Sequence, residues 1–219
     1  MNIIPATGNT SRIRQISRHL ADCIAKPAFV FHEKVSHQIH VDIHHIEPSG
    51  RFPFHILATS GMSNLPMNVP KGAEAHKYLE LFLALPPEWP LTNEAFKDEK
   101  NYWPLRLLKY LARYPHGAKT WISVGHTLKV TPGHPSKPLH ESTKLNSVVI
   151  FPPVRLPESL YELKIDSNCT IHFLAVVPIF QEELDYAILN GSQNLFDKMK
   201  EKGISELLNV NRLSAIGPR

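Results

Sequence analysis

His40, Asp42 and His44 occupy alternate positions, and in an extended chain alternate side chains point the same way, roughly 7 Å apart. Two imidazoles and a carboxylate on one face could converge on a divalent cation, with His45 or His37 reaching in from a neighbouring turn or strand. Such an ion would activate water, so a metal-assisted hydrolase built on His40, Asp42 and His44 is the alternative to weigh against any binding role. The same alternation also describes the solvated face of a half-exposed sheet, which needs no ligand. No Cys-x-x-Cys occurs, which excludes zinc fingers. The residues are read as holding no metal and no cofactor.

Ser60, Ser63, His55 and Asp42 supply the residue types of a hydrolytic triad. A serine nucleophile elbow requires Gly-x-Ser-x-Gly between a strand and a helix, and Leu65 stands where the second glycine should be. Gly61 is better read as a turn residue with positive φ, with Met62, Leu65 and Met67 filling the space beneath it. Glu74, Glu80, Glu88, Glu94, Asp98 and Glu99 form no recognisable acid pair, since loops intervene between most of them. Neither Gly-x-x-x-x-Gly-Lys-Ser/Thr nor Gly-x-Gly-x-x-Gly is present. Tyr114, Trp121 and His126 lie at a helix exit and along the segment after it, and aromatic side chains with a polar tip are the residue types that anchor protein interfaces. They are the candidate partner-binding residues; packing of Tyr114 and alternation of Trp121 with Ile122 between core and cover is the structural alternative.

The elements that must position these residues follow from periodicity. Thr10 or Ser11 caps a first helix whose apolar stripe is Ile13, Ile16, Leu20, Cys23 and Ile24, with Arg12, Arg14, Gln15 and Arg18 wet, and Pro27 stops it. Residues 29–31 and 38–46 read as strands, the second placing Ile39, Val41 and Ile43 in the core and His40, Asp42 and His44 on a polar face. Tyr78 to Leu85 is apolar on both faces, as in a central strand covered on both sides. Asn93 caps a short turn, and Pro104 suits the first position of a helix burying Leu105, Leu108, Leu111 and Ala112. Residues 119–130 return to strand, 131–144 form a Pro- and Gly-rich exposed loop, and 145–151 and 170–177 are further strands. Helices at 182–190 and 192–202 are separated by Gly191. Mixed elements without strict β-α-β alternation predict an α+β fold: one domain over 1–208, with a mixed, mostly antiparallel central sheet and helices on its faces and ends. The polar stretch 209–219 is expected to be a flexible tail.

A chain of 219 residues can bury roughly 70% of the surface its unfolded form exposes, enough for one core without staples. The formal charge of +4 is dispersed rather than gathered on one face with stacking aromatics, which disfavours nucleic acid as a partner. No apolar run reaches the ~18 residues of a membrane span. Two isolated cysteines, Cys23 and Cys169, and an N-terminus without a basic segment followed by an apolar run, lead to the expectation of a cytoplasmic protein.

Several motifs in order carry a resemblance. Gly61-Met62-Ser63 with Met67 behind it, a strand ending in Leu85-Pro86, a Trp103-Pro104 helix ending in Leu111-Ala112-Arg113-Tyr114, and Gly125-His126 together resemble the suppressor of fused domain family. Phe180-Gln181-Glu182-Glu183-Leu184, then Asn190-Gly191 and Leu195, resembles the family's last helical part, so the likeness spans about residues 41–195. It implies a non-enzymatic domain that works by binding another protein. Animal members hold a transcription-factor peptide as an added strand between this domain and a second one, which a single-domain chain is expected to lack. Gly125 stands before His126 where those members are expected to carry an acidic partner contact, which speaks against the same ligand. Bacterial members are associated with toxin loci as immunity proteins, and the resemblance implies a single-domain bacterial member whose partner is a toxin.

Overall fold

The computed structural model describes residues 9–33, 36, 39–131, 133 and 136–217. Its strands are β1 (Phe29–Phe31), β2 (Asp42–Ile46), β3 (His55–Ser60), β4 (Tyr78–Leu85), β5 (Thr127–Lys129), β6 (Ser147–Phe151), β7 (Glu162–Asp166) and β8 (Cys169–Ile179). They make one eight-stranded sheet in the order β1-β2-β3-β4-β8-β6-β5, with β7 also paired to β8. Every pairing is antiparallel except β4 with β8. The four α-helices among the described residues are α1 (Thr10–Cys23), α2 (Glu99–Gly117), α3 (Gln181–Asn190) and α4 (Ser192–Glu201). This is the mixed, mostly antiparallel α+β architecture expected from the mixture of periods. Among the described residues no helix is long and apolar enough to cross a membrane.

Alternation along the strands sends side chains to two cores. One face of the sheet packs Ile46, Ile56, Ala58, Phe82, Phe173 and Val177 with Ile16 and Leu20 of α1, Leu184 of α3 and Leu195 of α4. The other packs Ile43, Leu57, Leu81, Leu83 and Val148 with Trp103, Leu105, Leu108 and Leu111 of α2. Beyond Tyr78, all of β4 is buried, as its two apolar faces require. The long β8 pairs β4 through Ile171 to Ala175 and β6 through Ala175 to Ile179. Where β8 leaves β4, the chain at 206–208 takes its place: Ala84 N–H donates to the Glu206 carbonyl (3.1 Å) and Leu208 N–H to the Ala84 carbonyl (2.8 Å).

Several expectations need correction. The strand predicted over 38–46 is regular only from Asp42, and both of its faces are buried, because α1 covers the side read as solvated; part of its beginning, including His37, lies outside the described residues. The Asn9 side chain, not Thr10 or Ser11, caps α1 by accepting from Arg12 N–H at 3.1 Å. Arg12, expected to be wet, donates to the Ser63 carbonyl and to Cys169 Sγ (3.6 Å). The helix predicted from Pro104 begins at Glu99, capped by Asp98 on Lys100 N–H (2.9 Å), so Pro104 lies inside it. Most of 119–130 is not strand: Lys119 (φ 51°) and Gly125 (φ 81°) turn the chain, leaving only β5. Strand β7 went unpredicted because its exposed and half-buried residues, Glu162 to Asp166, show too little apolar character. Beyond residue 208, read from composition as a flexible tail, Arg212 pairs with the buried Glu183 (2.5 Å) and Ala215 N–H donates to the same carboxylate (2.7 Å). The segment 209–217 is thereby tied to the start of α3.

Candidate functional site

His40, Asp42 and His44, the metal-binding alternative, do not share a focus. The buried Asp42 carboxylate lies between two histidines, His40 Nε2 at 2.9 Å and His32 Nδ1 at 3.0 Å, and also accepts from Glu33 N–H (3.0 Å). His40 Nδ1 is taken by Ser36 Oγ at 3.0 Å. His44 points into the α1 interface, with Nδ1 3.3 Å from Ser17 Oγ and Nε2 3.0 Å from Ser60 Oγ. A ligand set needs free lone pairs aimed at one point; here the lone pairs are spent on neighbours. Among the described residues no three His, Cys, Asp or Glu side chains are grouped to hold a metal ion. His45, the suggested helper, faces His55 instead, Nε2 to Nδ1 at 2.9 Å, and His55 Nε2 meets the Pro87 carbonyl at 3.1 Å. Since a carbonyl can only accept, His55 Nε2 carries a proton, its Nδ1 accepts, and His45 Nε2–H is the donor. Burial pushes both rings down, His45 to about 4, in keeping with this neutral pair.

The triad types also disperse. Ser60 meets His44 in a site buried from solvent, with no carboxylate on the far imidazole nitrogen. Ser63 donates to Glu80 (2.6 Å), His55 to the Pro87 carbonyl, and Asp42 accepts from Glu33 N–H. A triad is recognised by nucleophile, base and orienting acid in series at an accessible point, and these residues do not form one.

Glu80 explains the Gly-Met-Ser loop. It is fully buried in β4 and accepts from Thr59 Oγ (2.6 Å), Gly61 N–H (2.9 Å), Ser63 N–H (3.0 Å) and Ser63 Oγ (2.6 Å). Burial raises its carboxyl pKa, and these four donors oppose the rise. On the other side of the loop, the Met62 carbonyl accepts from His116 at 3.1 Å and the Ser63 carbonyl from Arg12. Gly61 is obligatory in space as well as in φ (118°), because a Cβ there would lie 1.9 Å from the His40 carbonyl oxygen. Met62 and Met67 fill the core beneath as expected, whereas Leu65 is 44% exposed. The loop is a structural joint between β2, β4, α1 and α2. Its signal in the sequence is Glu80, the lone acid in the apolar run Tyr78 to Leu85.

The candidate partner residues fall in two places. Trp121 and His126 pack edge to face, with ring centroids 4.7 Å apart, in the loop that leads to β5. Both are half-buried. Burial pushes His126 below the ordinary histidine value, opposed by a hydrogen bond to the Trp121 backbone, so it presents a polar ring rather than a fixed charge. Gly125 between them has its own constraint, since a Cβ would meet Ser192 Oγ at 2.5 Å. The Tyr114 ring is tilted 40° against that of Tyr110 of α2, with centroids 6.2 Å apart, on a shallow surface shared with Tyr102 and Arg113. Tyr114 and Trp121 are partly buried and back onto the same core. Strand β5, which follows Trp121 and His126, is an outer strand of the sheet, as β1 is at the far end.

A family model described as suppressor of fused protein (SUFU) matches residues 37–213. The chain belongs to the SUFU family. Helix α1 precedes the matched stretch, although it covers one face of the family sheet. Among solved structures, a SUFU homologue from Neisseria gonorrhoeae FA 1090 shares the fold with a TM-score of 0.70 at 16% identity, covering 96% of this chain and 100% of that one. The Sufu–Fu complex gives 0.62 at 13% identity over 97% and 93% of the two chains. Drosophila Suppressor of Fused gives 0.61 at 14% identity over 96% of this chain but 52% of its own. An uncharacterised protein of Ureaplasma parvum serovar 3 is 27% identical over 138 residues, which make up 63% of this chain and 62% of that protein. The match thus spans less than two thirds of that relative's length.

Proposed function

We propose that this SUFU-family chain is a non-catalytic module that sequesters another polypeptide along a sheet edge or the groove beside it. The observation that carries the proposal is the fold it shares, over 97% of its length, with the structure solved as the Sufu–Fu complex. The residues weighed for catalysis support the same reading, since His40, Asp42, His44, His55, Ser60 and Ser63 are each engaged by separate neighbours. Tyr114, Trp121 and His126 are the residues we assign to the partner surface, the last two in the loop that leads to the outer strand β5. For the partner we propose a toxin encoded beside this chain's gene, neutralised by being held, as the resemblance to bacterial immunity members implies. Co-expression with the neighbouring toxin-like protein tests this. Protection of the host and recovery of a complex are expected; a complex with a different protein would remove the immunity role and keep the binding module, and unprotected cells without any complex would contradict both.

A further inference from the structure

Between β6 and β7 the chain forms a ridge at 152–156 that is held with unusual firmness for a surface segment. The N–H groups of Val154, Arg155 and Leu156 all donate to one oxygen of the fully buried Glu206, at 3.1, 2.7 and 3.2 Å. Arg155 Nε–H donates in addition to Ser205 Oγ at 2.8 Å. Yet the crest is apolar and wet: Val154 is 61% exposed. A solvent-facing apolar side chain on a fixed backbone loses little conformational freedom when something covers it.

The ridge separates two grooves. An apolar one of about 520 Å³ is bounded by Val124, Phe151, Val154, Phe196, Met199 and Ile204. A wider one of about 880 Å³ runs past Trp89, Lys100 and Lys202, and Arg155 and Ile204 line both. The apolar groove opens at Val124, inside the loop that carries Trp121 and His126, so it continues the surface assigned above. Charge around the two grooves is in cationic excess. Arg155, Lys100, Lys200 and Lys202 have no ion-pair partner among the described residues, whereas the acids on the linings are Glu88 and Asp197. Arg212 is neutralised by Glu183.

We propose that this ridge and its grooves receive an acidic segment of the partner polypeptide that carries apolar anchors. Phe196 and Ile204 take the anchors against Val124 and Val154, above the buried Phe151 and Met199, and Arg155, Lys200 and Lys202 take the carboxylates, since cations around an apolar floor select the opposite charge. The assignment rests on the protein-binding function proposed above and adds the partner's chemistry. Selection of displayed random twelve-residue peptides on the whole chain tests it, followed by anisotropy titration of the selected peptides against wild type, Val154→Asp and Lys200→Glu/Lys202→Glu. Selected sequences are expected to be rich in Asp and Glu beside Leu, Ile or Phe, and to bind each variant at least about tenfold more weakly while thermal unfolding stays unchanged. Peptides without an acidic excess, or with affinity indifferent to both variants, overturn the ridge and leave the binding module standing; a selection that yields no binder contradicts the module itself. Equal dependence on the ridge for a single-stranded oligonucleotide, or a dimer in sedimentation that Val154→Asp dissociates, would assign the ridge to nucleic acid or to a second copy and overturn the proposal.

Discussion

Single residues decide whether the SUFU joint forms. At Gly61, positive φ and the nearby His40 carbonyl both exclude a side chain, so Gly61→Ala is expected to destabilise by more than about 1 kcal/mol, read as a lower denaturant midpoint without a change in slope. His44 sets a pH dependence. Burial outweighs the attraction of Asp42 and holds its pKa at about 4 instead of 6.5. The unfolded chain therefore binds more protons between those values, and stability rises with pH across that window. The contribution is complete above pH 6.5 and is lost as pH falls towards 4, by roughly 3 kcal/mol at 1.36 kcal/mol per unit. Urea unfolding between pH 7.5 and 4 should show the loss, and His44→Gln should flatten part of it. At this scale the sequence was half legible. The turn at Gly61 could be read because a glycine between two serines and two methionines has few other uses. The pairing of Asp42 with His32 and His40 could not, because nothing local says that α1 will cover a face that alternates like a wet one.

Elements carry most of the stability. The stripe on α2 was legible since helical spacing and apolar identity agree, and Leu108 is fully buried in it. Leu108→Ala should cost about 2 to 5 kcal/mol in thermal or chemical unfolding. The link between α3 and the last residues could not be read, because an arginine in a polar stretch looks the same whether solvated or clamped. Arg212 reaches Glu183 through two hydrogen bonds, at 2.6 and 2.5 Å, and also the Pro178 carbonyl (3.0 Å). Removing one partner of a buried pair leaves an uncompensated charge, so Arg212→Ala is expected to lose about 3 to 5 kcal/mol and to speed amide exchange at Ala215. A loss under about 1 kcal/mol would show the clamp to be incidental. The loop before β5 was not legible for a related reason: Trp121, Ile122 and Val124 have strand-like composition, and the turn at Gly125 is tied to the distant Ile150 carbonyl, which accepts from its N–H at 2.8 Å.

For the whole molecule, the order of weak motifs pointed to the family more reliably than any one of them, because order and spacing reflect a shared sheet. Function was less legible, since the residues with chemical potential are engaged by separate neighbours and a surface that binds protein would leave only composition behind. The most direct test of partner binding is cross-linking of the tagged chain in its native host, with the linked polypeptides quantified for wild type, Tyr114→Ala and His126→Ala. One polypeptide should be recovered with the wild type in amounts comparable to the chain. Each substitution should weaken its capture by at least about fivefold, corresponding to ~1 kcal/mol, with the unfolding temperature preserved. Recovery of no polypeptide above an unrelated tagged control would contradict the central claim.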